Sequence, residues 1–310
     1  MKLSIIVSVF NEEPVIQLFY NELIRFIPIS YEYEIIFVND GSTDSSQNII
    51  SKISLENKNV KSISFSKNFG HEAAMLAGID YATGDAIICM DSDLQHPPAM
   101  IPDMLKRFEQ GDVDIINMVR DESKSFLSSA FYKLLNFISP FNIEANASDF
   151  FLISKRIVKI LKNNYRERVR FLRGFIQMLG FNKTILKFKV AKRVSGKSKY
   201  SFLKLFSLSV TAIATLSKFP LKLGIYLGFI SGLFGISLAV YSIIMKIIEH
   251  PVSGYTTIIV FLSIMFSIQF FILGVIGEYI GFLFDEQKKR PIYIIDFTTN
   301  IEQSNEISVS

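Results

Sequence analysis

Two carboxylates separated by one residue, Asp91-Ser92-Asp93, follow directly on the apolar run at 86–90. On an extended turn, side chains at i and i+2 can point into one site, where they hold a hard cation that neutralises a diphosphate. Gln95 could add a third oxygen. Such a pair also occurs by chance in surface loops; its place at the end of a buried run makes this one a candidate metal site. Asp40 ends a second apolar run in the same way, within VNDGSTDSS. A turn there, with Ser42 or Thr43 capping the next helix and Asp44 near its positive end, accounts for those three residues. It does not require an acid at Asp40, which is left to accept hydrogen bonds from a base or ribose. Asn11-Glu12-Glu13 reads either as a helix start before Pro14 or, for Asn11 and Glu12 above all, as part of the same crevice.

These residues need a scaffold that gathers them. Short β-branched runs alternate with helical patterns over the first 120 residues, which predicts an α/β fold with a mostly parallel sheet and helices packed on it. Strands are expected at 3–9, 34–39, 60–64, 86–90 and 113–118, with helices at 14–26 and 72–81. The loops at the strand C-terminal ends, where open α/β sheets bind ligands, read SVFNEE, VNDGSTDSS, SKNFG and MDSDLQHPP. Beyond them a helix is expected at 125–138, followed by Pro140. The segment NASDFFLIS then reads as a loop entering a short strand, with helices near 157–161 and 168–179. The tail after Arg290 is polar and shows no helical or strand period, so it is expected to be partly disordered.

The 310 residues are 49% apolar with a mean hydropathy of +0.33, and that apolarity is unevenly spread. Stretches 223–245 and 251–277 contain no Asp, Glu, Lys or Arg. As a helix the first would reach roughly 35 Å, longer than a hydrocarbon core. The organisation expected is a catalytic domain at 1–200, an interfacial helix at 201–222, membrane spans at 223–247 and 254–281, and a tail at 282–310. Lys197, Lys199, Lys204, Lys218 and Lys222 precede the first span and Lys288, Lys289 and Arg290 follow the second, whereas the connecting turn has only Lys246 beside Glu249. That asymmetry predicts a multi-pass protein of the plasma (inner) membrane with both ends and the catalytic domain in the cytoplasm. The single cysteine, Cys89, excludes an internal disulfide and suits a reducing compartment. The N-terminal apolar run is short and ends in a polar loop, so no signal peptide is expected. With a net charge of +4 and no basic run interleaved with aromatics, nucleic acid is not an expected partner.

Taken in order, SIIVSVFNEE, VNDGSTDSS, SKNFGHEAAMLAGIDYATGDAIICMDSDLQHPP, SDFFLIS, RFLRGFIQMLGF and RVSGKSKYSFLKL closely resemble glycosyltransferase family 2. The match is to its dolichyl-phosphate mannose synthase and bactoprenol glucosyltransferase branch, and it covers roughly 3–285. The resemblance implies a GT-A fold, a divalent metal (Mg2+ or Mn2+), inversion at the anomeric carbon, a nucleotide-sugar donor and a polyprenyl phosphate acceptor. It implies that Val9, Asn11, Glu12 and Asp40 hold the nucleotide-sugar with Lys67 and Asn68 near the base. Asp91, Ser92, Asp93 and Gln95 would serve ribose and metal, with Asp93 and Asp149 in catalytic roles and Asp149 facing the reacting phosphate. Arg120, Lys124, Arg170, Arg193 and Lys197 would meet the acceptor phosphate.

The chain departs from the family pattern in places. After the fifth strand it keeps Arg120 but lacks a second Arg and a Lys-Arg pair, leaving Lys124 to substitute; Gln177 stands where an aromatic is common, and Phe151 where Arg commonly follows Asp-Phe. His71 is expected in a first helical turn, His96 as a prop for the loop after the carboxylate pair, and Cys89 as a small buried hydrophobe. Residues 196–199, Gly-Lys-Ser-Lys, are either a basic membrane-facing loop or, as the resemblance implies, a lid over donor and acceptor.

The reading that follows is transfer of a hexose, best UDP-glucose, to undecaprenyl phosphate for cell-surface glycan modification, with GDP-mannose or UDP-N-acetylglucosamine as alternative donors. A non-catalytic membrane scaffold or transporter fits poorly, because spans without charge offer no polar path. A processive polysaccharide synthase would carry more spans and a QxxRW-type motif, which this sequence lacks. On this reading copies of the chain are expected to assemble through the spans.

Overall fold

In a computed structural model of the protein, residues 1–121, 147–167, 172–190, 219–248 and 254–301 are described. In chain order these form β1 (Lys2–Val9), α1 (Glu13–Phe26), β2 (Glu32–Asn39), α2 (Ser46–Glu56), β3 (Val60–Phe65), α3 (His71–Tyr81) and β4 (Ala86–Asp91). A 3-10 turn at Pro98–Met100 leads into α4 (Ile101–Phe108), then β5 (Ile115–Arg120), β6 (Ala147–Ser154), α5 (Lys155–Asn164), α6 (Leu172–Met178) and β7 (Lys183–Phe188). Two long helices, α7 (Phe219–Ile247) and α8 (Tyr255–Gln287), precede β8 (Ile295–Thr299). The helix expected at 125–138 and most of the interfacial helix lie outside the described residues; 219–222 belong to α7.

One sheet runs in the order β7-β5-β6-β4-β1-β2-β3-β8. β1 through β4 pair in parallel, as the alternation of strands and helices requires, and β5 is parallel to β7. The sheet is more mixed than expected, because β6 inserts antiparallel between β4 and β5 and β8 lies antiparallel on the β3 edge. Residues 147–154 are therefore an eight-residue interior strand rather than a loop entering a short one. Continuing the register two residues past the Cys89–Phe151 pair brings Asp149 opposite Asp91. An antiparallel β6 thus delivers its early residues to the end of the sheet where the parallel strands finish.

Alternate side chains of each strand enter two cores. Leu3, Ile5 and Val7 of β1 join Phe19 and Leu23 of α1 and Met104 of α4 on one face; Ile6 of β1 meets Ala73, Ala74 and Ala77 of α3 and Ile157 and Leu161 of α5 on the other. Burial on both faces explains the unbroken apolar runs. At Gly78 a Cβ would lie 2.1 Å from the Ile6 Cγ2, so glycine lets α3 lie tight on β1 and sets its first turn beside the end of that strand.

β5 begins two residues later than expected, and at its start Asp114 N and Ile115 N both donate to Asn182 O just ahead of β7. β7 was not anticipated, and the tail expected to be irregular contributes β8. The first unit of the fold comprises Met1–Leu205 with Arg290–Ser310, and the second Phe206–Lys289. Within the second, α7 and α8 are antiparallel: Gly224 faces Ile272, and eleven residues on in each direction Gly235 faces Phe261. Segments Pro220–Met245 and Val260–Gln287, with hydropathies of 2.0 and 2.3, are long and apolar enough to cross a membrane.

Candidate active site

The crevice forms where β1, β2, β3 and β4 end and β6 begins. Its floor is stitched by hydrogen bonds between loops. Asn11 adopts a left-handed conformation (φ 54°); its N–H donates to Ser42 Oγ at 3.0 Å and its Oδ1 accepts from Thr43 N at 2.8 Å. Glu12 N donates to Ser46 Oγ, and Glu13 and Asp44 exchange bonds with the backbone of the opposite loop. Ser42 and Thr43 thus bind the neighbouring loop instead of capping α2. The helix starts later, at Ser46, whose N–H is accepted by Asp44. Partial burial would raise the Asp44 carboxyl, but hydrogen bonds from Ser46 and Glu13 outweigh it and hold it below its ordinary range.

Asp40 is buried, and its carboxylate accepts from Phe69 N at 2.7 Å and Gly70 N at 3.0 Å. It shapes the loop that carries Lys67 and Asn68, both exposed. Gly41 (φ 65°) lies against that loop so closely that a Cβ would fall 2.3 Å from the Lys67 carbonyl carbon. Val9 is itself buried and turns its carbonyl to Asp40 N. The nucleotide-side residues of the sequence reading therefore form one connected wall.

Opposite stand the carboxylates. Asp91 ends β4 and Asp93 follows, 9% exposed, its Oδ1 accepting from Gln95 N at 3.0 Å. Ser92 lies behind them, buried, donating to Ser8 O. Asp149 shares the β6 face of Phe151 and Ile153, towards α3. The two histidines tie the acids together. Ser8 Oγ lies 2.9 Å from His71 Nδ1 and donates to Asp91 Oδ1 at 3.2 Å. Across the ring, His71 Nε2 is 3.8 Å from Asp149 Oδ2. His96 Nδ1 accepts the Asp91 N–H at 3.0 Å, and its ring stacks on Phe150 at 5.3 Å. Burial holds the His96 pKa below its ordinary value despite the pull of Asp91, Asp149 and Asp93. It is the expected prop, and its lowered pKa leaves it neutral and protonated on Nε2, which has no hydrogen-bond partner among the described residues. Cys89 is buried as expected, its thiol pushed up by burial and then by Asp149 and Asp91.

His71 is the residue the sequence reading undervalued. It opens α3 as expected, but only the packing of α3 on β1 places it between Asp91 and Asp149. Arg120 ends β5, exposed beside this cluster. Lys124, Arg170, Arg193 and Lys197 lie outside the described residues.

Among the described residues, no three His, Cys, Asp or Glu groups close into a metal cage. A magnesium-like cation does not need one, since it takes one or two carboxylates and completes its shell with substrate phosphates and water. Asp91, Asp93 and Gln95 fit that requirement.

Polar loops gathered beside a carboxylate pair at the strand ends of a mixed α/β sheet are the arrangement of a GT-A-type glycosyltransferase. The chain belongs to glycosyl transferase family 2, whose pattern it matches over residues 4–179. It is 38% identical over 302 residues to the prophage bactoprenol glucosyl transferase homolog of Escherichia coli (strain K12), covering 95% of this chain and 98% of that one. Against the bactoprenol glucosyl transferase of Shigella phage SfV the identity is 37% over 305 residues, again 95% and 98%. Among solved structures, the fold is similar to glucosyl-3-phosphoglycerate synthase from Mycobacterium tuberculosis, in complex with Mn2+, UDP and phosphoglyceric acid. That likeness has a TM-score of 0.52 and 17% identity, over 69% of this chain and 77% of the other.

Proposed function

We propose that the protein transfers glucose from UDP-glucose to undecaprenyl phosphate with inversion, at the cytoplasmic face of the plasma membrane. The product is a lipid-linked sugar for modifying a cell-surface glycan. The observation that carries this reading is the convergence of Asp91, Asp93 and Asp149 beside the nucleotide wall. It occurs in a chain similar, through both apolar helices, to bactoprenol glucosyl transferases.

The wall from Val9 to Asp40 and the loop at Lys67 and Asn68 hold the nucleoside. Asp91 and Asp93, with Gln95, would hold Mg2+ or Mn2+, which would supply positive charge against the donor diphosphate. An oxygen of the acceptor phosphate attacks the anomeric carbon, the bond from that carbon to the diphosphate oxygen breaks, and UDP departs with the electron pair. A phosphate monoester has a second pKa near 6, so most of the acceptor is already dianionic at pH 7. Asp149 therefore acts mainly on acceptor position, through a basic group such as Arg120, Arg170 or Lys197, and takes the proton from the minority monoanion. α7 and α8 keep the enzyme in the membrane with its lipid substrate and give copies of the chain a surface on which to assemble.

The test is to incubate detergent-solubilised protein with undecaprenyl phosphate and a panel of labelled nucleotide-sugars. Label should enter the lipid phase from UDP-glucose. Transfer only from GDP-mannose or UDP-N-acetylglucosamine would replace the donor, and nucleotide binding without transfer from any donor would favour a scaffold.

A further inference from the structure

The donor loop at 66–70 is held from two sides, and the outer side is built by the last described part of the chain. On the inner side are the Asp40 carboxylate and the close approach of Gly41. On the outer side, Ser66 N donates to Ile294 O at 3.0 Å, immediately before β8. Tyr293 lays its ring flat on Phe65, 5.2 Å between centroids and 10° apart, and Phe65 in turn meets Phe69 edge-on at 5.7 Å. The Tyr293 hydroxyl donates to Asp80 Oδ2 at 2.6 Å, and Arg166 grips the same carboxylate at 2.9 and 3.0 Å. Beyond Tyr293, β8 pairs with β3 from Phe65 back to Ser62, and Asn300 closes the strand by donating to the carbonyls of Ser54 and Val60.

A clip needed only to cover the β3 edge would require the ladder alone. The contacts made ahead of the ladder, by Tyr293 and Ile294, fall on the residues that lead into Lys67 and Asn68. We propose that Tyr293 and the segment leading into β8 are positioning elements of the donor site, holding loop 66–70 where it meets the nucleotide. This rests on the reading of that loop as a donor loop. Chain order adds a consequence: the donor site is completed only after both apolar helices have been made, because its outer support follows them in sequence.

The experiment uses full-length protein in detergent and compares wild type with Tyr293→Ala and Tyr293→Phe. Readouts are UDP affinity, donor and acceptor KM, melting temperature and hydrogen exchange of the 66–70 amides. Loss of the aromatic pair and the hydroxyl bond in Tyr293→Ala should weaken UDP binding and raise donor KM by about 10- to 100-fold, with acceptor KM nearly unchanged. Tyr293→Phe keeps the stack and loses only the bond to Asp80, so about a 3- to 10-fold change is expected. In both, exchange at 66–70 should quicken. Should Tyr293→Ala not fold, Tyr293→Phe decides. A lower melting temperature with unchanged UDP affinity, donor KM and exchange at 66–70 would make the segment a stabilising clip and overturn the proposal. A wild-type protein that binds no nucleotide would instead refute the donor reading, while exchange at 66–70 still decides whether Tyr293 holds the loop.

Discussion

Gly41→Ala is the sharpest probe of how the proposed nucleotide wall is built. The added Cβ would stand 2.3 Å from the Lys67 carbonyl carbon, 2.6 Å from Asn68 N and 2.8 Å from Lys67 Cα. All three are backbone atoms, so no rotamer change relieves the overlap. Ordinary contact begins near 3.4 Å. The loop must therefore retreat by roughly 1 Å, and a displacement of that size can cost about 10²-fold in rate. Alanine at φ 65° adds about 1–2 kcal/mol of backbone strain. The retreat also stretches the bonds from Phe69 and Gly70 to Asp40, each of a kind worth about 1.5–3 kcal/mol. Steady-state kinetics with varied donor should show kcat/KM for the nucleotide-sugar down by about 10²-fold in a folded protein with a lowered melting temperature. Acceptor KM should change little. Wild-type donor kcat/KM in Gly41→Ala would refute the close packing of these two loops as a condition of donor binding.

Asp93→Asn keeps an oxygen for the Gln95 N–H, so it should fold normally yet lose most metal-dependent transfer; full activity with an unchanged metal requirement would remove the carboxylate pair from the site. Asp149→Asn should lose about 10²-fold in rate at neutral pH by misplacing the acceptor, and raising the pH to about 8.5 should not restore it because the acceptor is already ionised. Substantial rescue there would make Asp149 chiefly a proton acceptor. Burial alone would raise the Glu34 carboxyl, but hydrogen bonds from Lys61, Ser4 and Thr83 N hold it at about 2, against 4.5 ordinarily. Its stabilisation is therefore present above about pH 4.5 and is lost as pH falls towards 2. Glu34→Gln should cost about 2–3 kcal/mol at pH 7, with the gap to wild type closing in urea melts at acid pH; a pH-independent gap would contradict this. A cysteine at Ser253 should react with an impermeant thiol reagent in intact cells while tags at Met1 and Ser310 stay protected, and labelling only after lysis would reverse the topology.

The strands that carry the proposed nucleotide wall were legible because each is largely buried on both faces and reads as a short run rich in β-branched residues ending in a polar loop. β7 was not, since KTILKF mixes charged, polar and apolar residues along an edge and its pairing with β5 comes from distant sequence. β8 is a short, half-exposed IDFTT held by the β3 edge, by Ile295 against the core and by the flanking Tyr293 and Asn300 contacts. Asp91, Asp93 and Asp149 could be named from local sequence and family resemblance. What joins them could not: His71 reaches two acids because Gly78 lets α3 sit down on β1, and Asp149 faces Asp91 because β6 runs antiparallel. Both are facts of packing and register.

The most direct measurement is the structure of the product made from UDP-glucose and undecaprenyl phosphate by the purified, metal-supplied enzyme, read by mass spectrometry and by the anomeric proton coupling in NMR. One hexose added to each intact lipid phosphate in the β configuration, with UDP released in equal amount, is the predicted result. UDP release without a lipid-linked sugar, or a product that keeps the α configuration of the donor, would contradict it.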